Sequence, residues 1–462
     1  MTDRQATLSS PSIAIDVAES PAGKRRGHVP CRIGEHVEFS TESLETYCVT
    51  NWEPVVYDAL LVAAAVEFAD RKLRRPALKW DRQIEIRIPV HDPDRWNHPA
   101  VSTALHDALE FLTGDSWHIT FRSRLKPLEE PQQRRFELAQ GITSVIPYSD
   151  GLDSRVVAGL MSKELGDKLI CVRLGSKRSE QRSSRRYQNP FTAIPYEVKL
   201  AKGESVESSV RSRGFKFALI SGLAAYLAKA NQIIVSESGQ GSLGPALVTV
   251  GQAYEDYRTH PLFTHRMEKL LAALLDHTVQ FQFPRVWHTK AETLAKYVAE
   301  CQPSIWSDTL SCWQQNRQVS VDHKRRQCGI CAACMLRRMS IHAAGLTESK
   351  ETYVWEHLDA KTFDEGAASS FSKTKITGKL REYAIAGALH LDHLAGLQAS
   401  RADAQTLELN VFQLSRSLGI PEQDVRAKLN RLLSQHETEW KEFVHSLGKN
   451  SFVAMWAIHA SL

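Results

Sequence analysis

Thr143–Leu165 reads TSVIPYSDGLDSRVVAGLMSKEL, and its change of period decides the fold. The run TSVIPYS is apolar and β-branched, as a buried strand is, whereas from Arg155 the apolar residues recur at helical spacing. Between them lies a short polar loop, SDGLDS (Ser149–Ser154). Downstream, KLICVRL (Lys168–Leu174) and IPYEVKL (Ile194–Leu200) read as strands, and a helix over Phe217–Ala230 leads into the strand QIIVSES (Gln232–Ser238). Strands alternating with helices predict the α/β class, with a parallel, doubly wound sheet that binds ligands beyond the carboxyl ends of its strands. The Ser149–Ser154 loop stands where such a fold offers backbone N–H groups and the positive end of a helix dipole to phosphate. Ser149 and Ser154 add hydroxyls, and Asp153 can hold the loop or a Mg²⁺. The same residue types also make ordinary turns and N-caps, so the loop by itself leaves both readings open.

The chain has 462 residues, too many for one ordinary domain. Residues 1–30, rich in Ser, Pro, Lys and Arg, read as a flexible lead. Residues 31–135 read as a small amino-terminal α/β domain: a helix over Glu53–Arg74, a strand over Ile84–Ile88 stopped by Pro89, a helix over Ala100–Gly114 and a strand over Trp117–Arg122. Pro127 and Pro131 mark a linker. Residues 136–350 form the next domain, and 351–462 a helical extension. Within the extension, Leu407–Leu433 has a helix–Gly–helix pattern; acidic residues interrupt its basic ones, which favours a plain bundle over a DNA-reading motif. A hydrophobic share of 42% and a charged share of 24% are those of a soluble globular protein. Lys plus Arg (58) barely exceeds Asp plus Glu (53), so nothing demands nucleic acid or a membrane as a direct ligand. No apolar run reaches spanning length, and the first 25 residues lack the apolar centre of a signal peptide.

Cys312, Cys328, Cys331 and Cys334 make Cys-x15-Cys-x2-Cys-x2-Cys. Four thiolates close a tetrahedral Zn²⁺ shell and leave no position for water, which makes the expected site structural. Its binding free energy, on the order of 10 kcal/mol, is folding free energy. His323 or His342 could each replace a cysteine, and buried or redox cysteines are the plain alternative. This cysteine usage fits a reducing cytoplasm.

SDGLDS closely resembles the SGGxDS loop of the PP-loop ATP pyrophosphatases, which have the adenine nucleotide alpha-hydrolase-like fold. WSDTLSC (Trp306–Cys312), followed by CGICAACMLRR (Cys328–Arg338) and AAGL, is similar to the carboxy-terminal signature of the 7-cyano-7-deazaguanine synthases. RSRGFKFALISGLAAYLA (Arg211–Ala228) and WHTKAETLAKY (Trp287–Tyr297) look like that family's intervening segments, so the resemblance covers roughly residues 140–346. It implies ATP, Mg²⁺ and Zn²⁺ as cofactors and 7-carboxy-7-deazaguanine as substrate. The carboxylate would be adenylated with loss of pyrophosphate, and an amine would then displace AMP.

On this resemblance Ser149, Asp150, Gly151, Leu152, Asp153 and Ser154 cradle the nucleotide, and Asp153, Ser154 and Lys290 serve catalysis. The basic run Lys177, Arg178, Arg182, Arg185 and Arg186 supplies further cations, although such a run is also an ordinary solvated loop, and Arg213 joins Glu237 and Gln240 in binding the substrate. Glu237, with Gln240 and Gly241 after it, is the carboxylate placed to recognise a deazaguanine ring; an ordinary strand-end Glu is the plain alternative. The chain departs from the family at Asp150, where the pattern has Gly, and a carboxylate there repels ATP unless it faces away or binds Mg²⁺. Its length resembles the synthase-like proteins of bacterial anti-phage systems, including the Qat type. That implies a protein partner from the same system whose N-terminus traps the acyl-adenylate. Ordinary nitrile synthesis with ammonia, or an inactive zinc-stabilised scaffold or nucleic-acid-binding protein, are the other readings, and a homodimer is left open.

Overall fold

The computed structural model describes residues 10–20, 25–41, 53–75, 81–125, 141–174, 191–201, 206–251, 253–302, 304–313 and 319–458. The chain divides into two units. One takes Met1–Pro147, Asp167–Ile234 and Phe263–Gln282; the other takes Tyr148–Gly166, Val235–Leu262 and Phe283–Leu462.

In the first unit, β1 (Ser12–Ala18), β2 (Val29–Arg32), β3 (Val37–Phe39), α1 (Pro54–Lys72), β4 (Gln83–Val90), α2 (Pro99–Thr113) and β5 (Ser116–Ser123) come first. Four of these strands form an all-parallel sheet in the order β2-β1-β4-β5. Ser12–Ala18, within the segment read as a lead, is therefore an inner strand. β4 runs through Pro89 instead of stopping before it. It can do so because β1 pairs with β4 only as far as Arg87, so the strand's end has β5 as its single neighbour. Helix α1 is buried on nearly every side, and its buried acids are all engaged. Asp70 binds Arg82, Glu67 binds Lys216, and Asp58 accepts from the His91 N–H.

The same unit holds a second parallel sheet. β6 (Ser144–Pro147) is its central strand, and the helix that follows in sequence, α3 (Leu152–Leu165), belongs to the second unit. β7 (Leu169–Leu174), β8 (Thr192–Ile194), β9 (Tyr196–Val198), α4 (Arg213–Ala228), β10 (Gln232–Ile234) and β11 (Gln280–Gln282) follow. The order is β11-β10-β6-β7-β8. Pro195 splits the predicted Ile194–Leu200 strand in two, and β9 leaves the sheet to pair antiparallel with β3. β10 ends at Ile234, so Glu237 lies three residues beyond the strand and not at its end. Strand order reverses between β6 and β10, the switch point at which doubly wound sheets bind ligands. The chain leaves these two strands as Ser149–Ser154 and Val235–Gly241.

The second unit is helical: α5 (Lys290–Glu300), α6 (Ala332–Ala343), α7 (Gly378–Gly396), α8 (Ala404–Leu418), α9 (Glu422–Leu447) and α10 (Phe452–Trp456) join α3. Gly159 lets α3 lie against α5, since a Cβ there would stand 2.3 Å from the Tyr297 ring. Leu152, Val156, Leu160, Leu294 and Tyr297 fill that contact. One core joins Cys328, Cys331, Cys334 and Met335 to Trp355, Leu391, Trp440, Phe443 and Phe452, so the cysteine segment and the carboxy-terminal helices share their apolar interior. Helices α8 and α9 bury Val411, Leu414, Val425 and Leu429 against Leu243, Leu247 and Val286, a bundle contact. No helix among the described residues is long and apolar enough to cross a membrane.

Candidate active site and metal centre

Helix α3, of 14 residues, has Gly151 at its N-cap and no side-chain cap hydrogen bond, and the start of such a helix offers backbone N–H groups to an anion. The loop is closed on itself: Ser149 N–H donates to Ser154 Oγ at 2.8 Å, and Gly151 N–H donates to Ser149 Oγ at 3.2 Å. Leu152 is buried under the helix start, where it anchors the loop through packing. The Asp150 carboxylate accepts from the Arg155 guanidinium at 2.8 Å, which neutralises the charge that departs from the family pattern.

Asp153, in the first turn of α3, accepts from Ser238 Oγ at 3.2 Å and from the ammonium of Lys290, a residue that is 6% exposed. Lys290 is the first residue of α5, whose start is set by a capping box. Thr289 Oγ1 accepts from Glu292 N–H, and the Glu292 carboxylate accepts from Thr289 N–H. The partly buried Glu237 carboxyl is pushed up to about 8, first by burial and then by the negative Asp153, with Lys290 and Arg258 opposing. A Cβ on Gly241 would stand 2.3 Å from Glu237 Oε2, so the open face of Gly241 is occupied by Glu237 itself. Arg258 pairs with Asp256 at 2.7 Å, which holds its guanidinium above the ordinary range.

Gln240 is buried and engaged at both ends of its amide. Oε1 accepts from Lys290 N–H at 2.8 Å, and Nε2 donates to His436 Nδ1 at 2.8 Å. Arg213 belongs to the first unit, at the start of α4, with its guanidinium 5.5 Å from the centre of the Phe217 ring. The basic run Lys177–Arg186 lies outside the described residues.

Cys312, Cys328, Cys331 and Cys334 bring their sulfurs within 4.8 Å of one another. Cys328 and Cys334 Sγ are 3.8 Å apart, the edge of a tetrahedron whose Zn–S bonds are about 2.3 Å. Backbone N–H groups point at these sulfurs: Cys331 N–H to Cys328 Sγ at 3.3 Å, Cys334 N–H to Cys331 Sγ at 3.4 Å and Cys328 N–H to Cys312 Sγ at 3.2 Å. Donors aimed at sulfur suit thiolates, and the set fits Zn²⁺. His323 sits in the two-residue turn after Val321, and His342 is exposed on α6; neither joins the cluster.

The fully buried Arg337 of α6 ties this segment to the Ser149–Ser154 loop. It donates to Thr309 Oγ1 at 2.7 Å and to Ser307 O at 3.4 Å, while Leu310 N–H donates to Asp150 O at 2.8 Å. Sequence reading did not single out Arg155, Ser238, Arg258, Arg337, His436 or Glu439. Only Arg155 and Ser238 carried a local signal, by standing beside residues already chosen.

Residues 224–345 match a family model, QueC, described as queuosine biosynthesis protein QueC. The match contains Glu237, Gln240, Lys290 and all four clustered cysteines; the Ser149–Ser154 loop precedes it. It supports a deazaguanine-synthase-like, ATP-using protein. No curated protein and no solved structure matches the chain.

Proposed function

We propose that the chain adenylates 7-carboxy-7-deazaguanine with ATP and passes the acyl group to an amine. The observation that carries this reading is the meeting of Lys290, Ser238 and Glu237 around Asp153, at the uncapped start of α3. In the first step a substrate carboxylate oxygen attacks the α-phosphorus and the bond to pyrophosphate breaks. In the second the amine nitrogen attacks the acyl carbon, a proton leaves, and AMP departs. Such chemistry needs no nucleophile from the protein; it needs N–H donors, cations and a fixed geometry around the phosphates. The α3 amides and Lys290 would bind and orient the triphosphate, and Asp153 would hold Mg²⁺, which screens phosphate charge when bound. Zn²⁺ in the four-cysteine set would support the Trp306–Cys312 loop through Arg337.

Our favoured amine is the N-terminus of a partner protein from the same anti-phage defence system. The support is the amino-terminal sheet β2-β1-β4-β5, which lies outside the matched residues and which adenylation does not call for. The other amine is ammonia, giving an amide and, with a second ATP, the nitrile, as the resemblance to the 7-cyano-7-deazaguanine synthases implies. One experiment separates them. The purified chain is incubated with ATP, 7-carboxy-7-deazaguanine and either ammonium or the proteins encoded beside it, and products are read by intact mass. Conjugation adds one deazaguanine amide to a neighbour's N-terminus, whereas the ammonia route yields free nitrile and leaves every protein mass unchanged.

A further inference from the structure

Helix α9 lies outside the matched residues, yet one of its faces is bonded to the first turn of the helix that carries Lys290. Thr289 Oγ1, the N-cap of α5, donates its proton to Glu439 Oε1 at 2.6 Å. His436 Nδ1 accepts from Gln240 Nε2 at 2.8 Å, and the other end of that amide accepts the Lys290 N–H. His436 Nε2 is 2.9 Å from Leu391 O, an acceptor only, so Nε2 carries the proton and Nδ1 is the acceptor. Arg431 donates to both Glu292 oxygens and to Trp287 O at 3.0 Å. Positions 431, 435, 436 and 439 share one face of α9. His436 is 0% exposed and Glu439 2%.

Polar groups buried this deeply are costly next to the leucines that would hold a bundle equally well. Leu429, Leu432 and Leu433 of the same helix already do so. What the polar face adds is direction. It fixes the hydroxyl of the N-cap and the amide that receives the Lys290 N–H, and with them the line along which the Lys290 ammonium meets Asp153.

We propose that Glu439 and His436 are positioning residues: through Thr289 and Gln240, helix α9 sets the first turn of α5 and so holds Lys290 against Asp153. The carboxy-terminal helix is then part of the nucleotide site. The proposal rests on the adenylation reading for its effect on turnover, but not for the contacts themselves.

The full chain is tested as Glu439→Leu, which removes the acceptor, Glu439→Gln, which keeps one for the Thr289 hydroxyl, and His436→Leu, an independent arm should Glu439→Leu not fold. Amide exchange is followed in the peptide over Thr289–Thr293 and, as a control, over Ala332–Ala343. Pyrophosphate release gives kcat and the KM for ATP. Glu439→Leu and His436→Leu should each speed exchange at Thr289–Thr293 by about tenfold, as losing a buried hydrogen bond does. The control peptide should not change, and kcat should fall by about tenfold or more while KM moves little. Glu439→Gln should recover most of both. Unchanged exchange in the leucine variants, equal acceleration in both peptides, or no recovery in Glu439→Gln overturns the proposal. A wild-type chain that releases no pyrophosphate, while the leucine variants still loosen Thr289–Thr293, removes the adenylation reading and leaves the positioning contact standing.

Discussion

The Asp150 carboxylate accepts a hydrogen bond from the Arg155 guanidinium at 2.8 Å, across the turn from the Ser149–Ser154 loop into α3. The same guanidinium lies 4.7 Å from the centre of the Tyr148 ring, which fixes its plane. Asp150 therefore stands in the loop as half of an ion pair and not as an unbalanced negative charge. Arg155→Ala should raise the KM for ATP by about tenfold, the size of one uncompensated charge a few ångströms from phosphate at high effective dielectric. The double variant Asp150→Gly, Arg155→Ala should recover most of that loss. Steady-state kinetics on the two variants checks this, and a double variant no better than the single one would show that Arg155 acts on its own.

The chain should bind about one zinc, and Cys331→Ser should lose it, because three thiolates no longer close the tetrahedron. The loss should spread. The cysteines share a core with Trp355 and Trp440, and Arg337 links α6 to the loop that bonds Asp150. Metal analysis together with near-ultraviolet circular dichroism reads both effects. Metal-free protein with an unchanged tryptophan signal would contradict the structural role.

Two features were legible because they are local. The strand–loop–helix around Ser149–Ser154 follows from a change of period, and the four cysteines from their spacing. What escaped depends on distant partners. The short alternation Ile13-Ala14-Ile15-Asp16-Val17 sits among Ser and Pro, and only its pairing with β2 and β4 makes it a strand. Pro195 reads as part of an apolar run, yet it lacks the N–H that would carry the strand onward. Gly241 follows Glu237 by four positions, and only the structure shows that the Glu237 carboxylate fills the space beside its Cα. Thr289 and Glu439 are 150 positions apart, and no periodicity joins them.

Burial pushes the Glu439 carboxyl up to about 7 from its ordinary 4.5, ahead of the lowering by Thr289 and Gln435. A raised folded-state value means that the protonated form is favoured in the fold. Stability is then full below the unfolded carboxyl range and is lost as pH rises through about 7. Glu439→Gln is neutral throughout, so it should gain on wild type by on the order of 3 kcal/mol between pH 5 and 8. Glu237, held up to about 8, titrates in both proteins and cancels in the difference. Urea unfolding of the two proteins at several pH values measures this; parallel curves would mean that Glu439 is ionised without cost.

Truncation before Tyr353 should give an insoluble chain and not a working adenylating core. The deleted part carries Tyr353, Trp355, Leu391, Trp440, Phe443 and Phe452 of the core that encloses the cysteines, together with both positioning residues of α9. Expression and size-exclusion chromatography of the truncated chain decide it, and a soluble monomer with full ATP turnover would show that the helical region is a separable appendage.

The most direct measurement is the release of AMP and pyrophosphate from ATP by the purified chain, with and without 7-carboxy-7-deazaguanine and an amine. Both products should appear one for one, only when the carboxylate substrate is present, and should vanish in Asp153→Ala, which deprives Lys290 and Ser238 of their shared acceptor while leaving the fold intact. No substrate-dependent pyrophosphate from well-folded wild-type protein, or undiminished release by Asp153→Ala, would contradict the account.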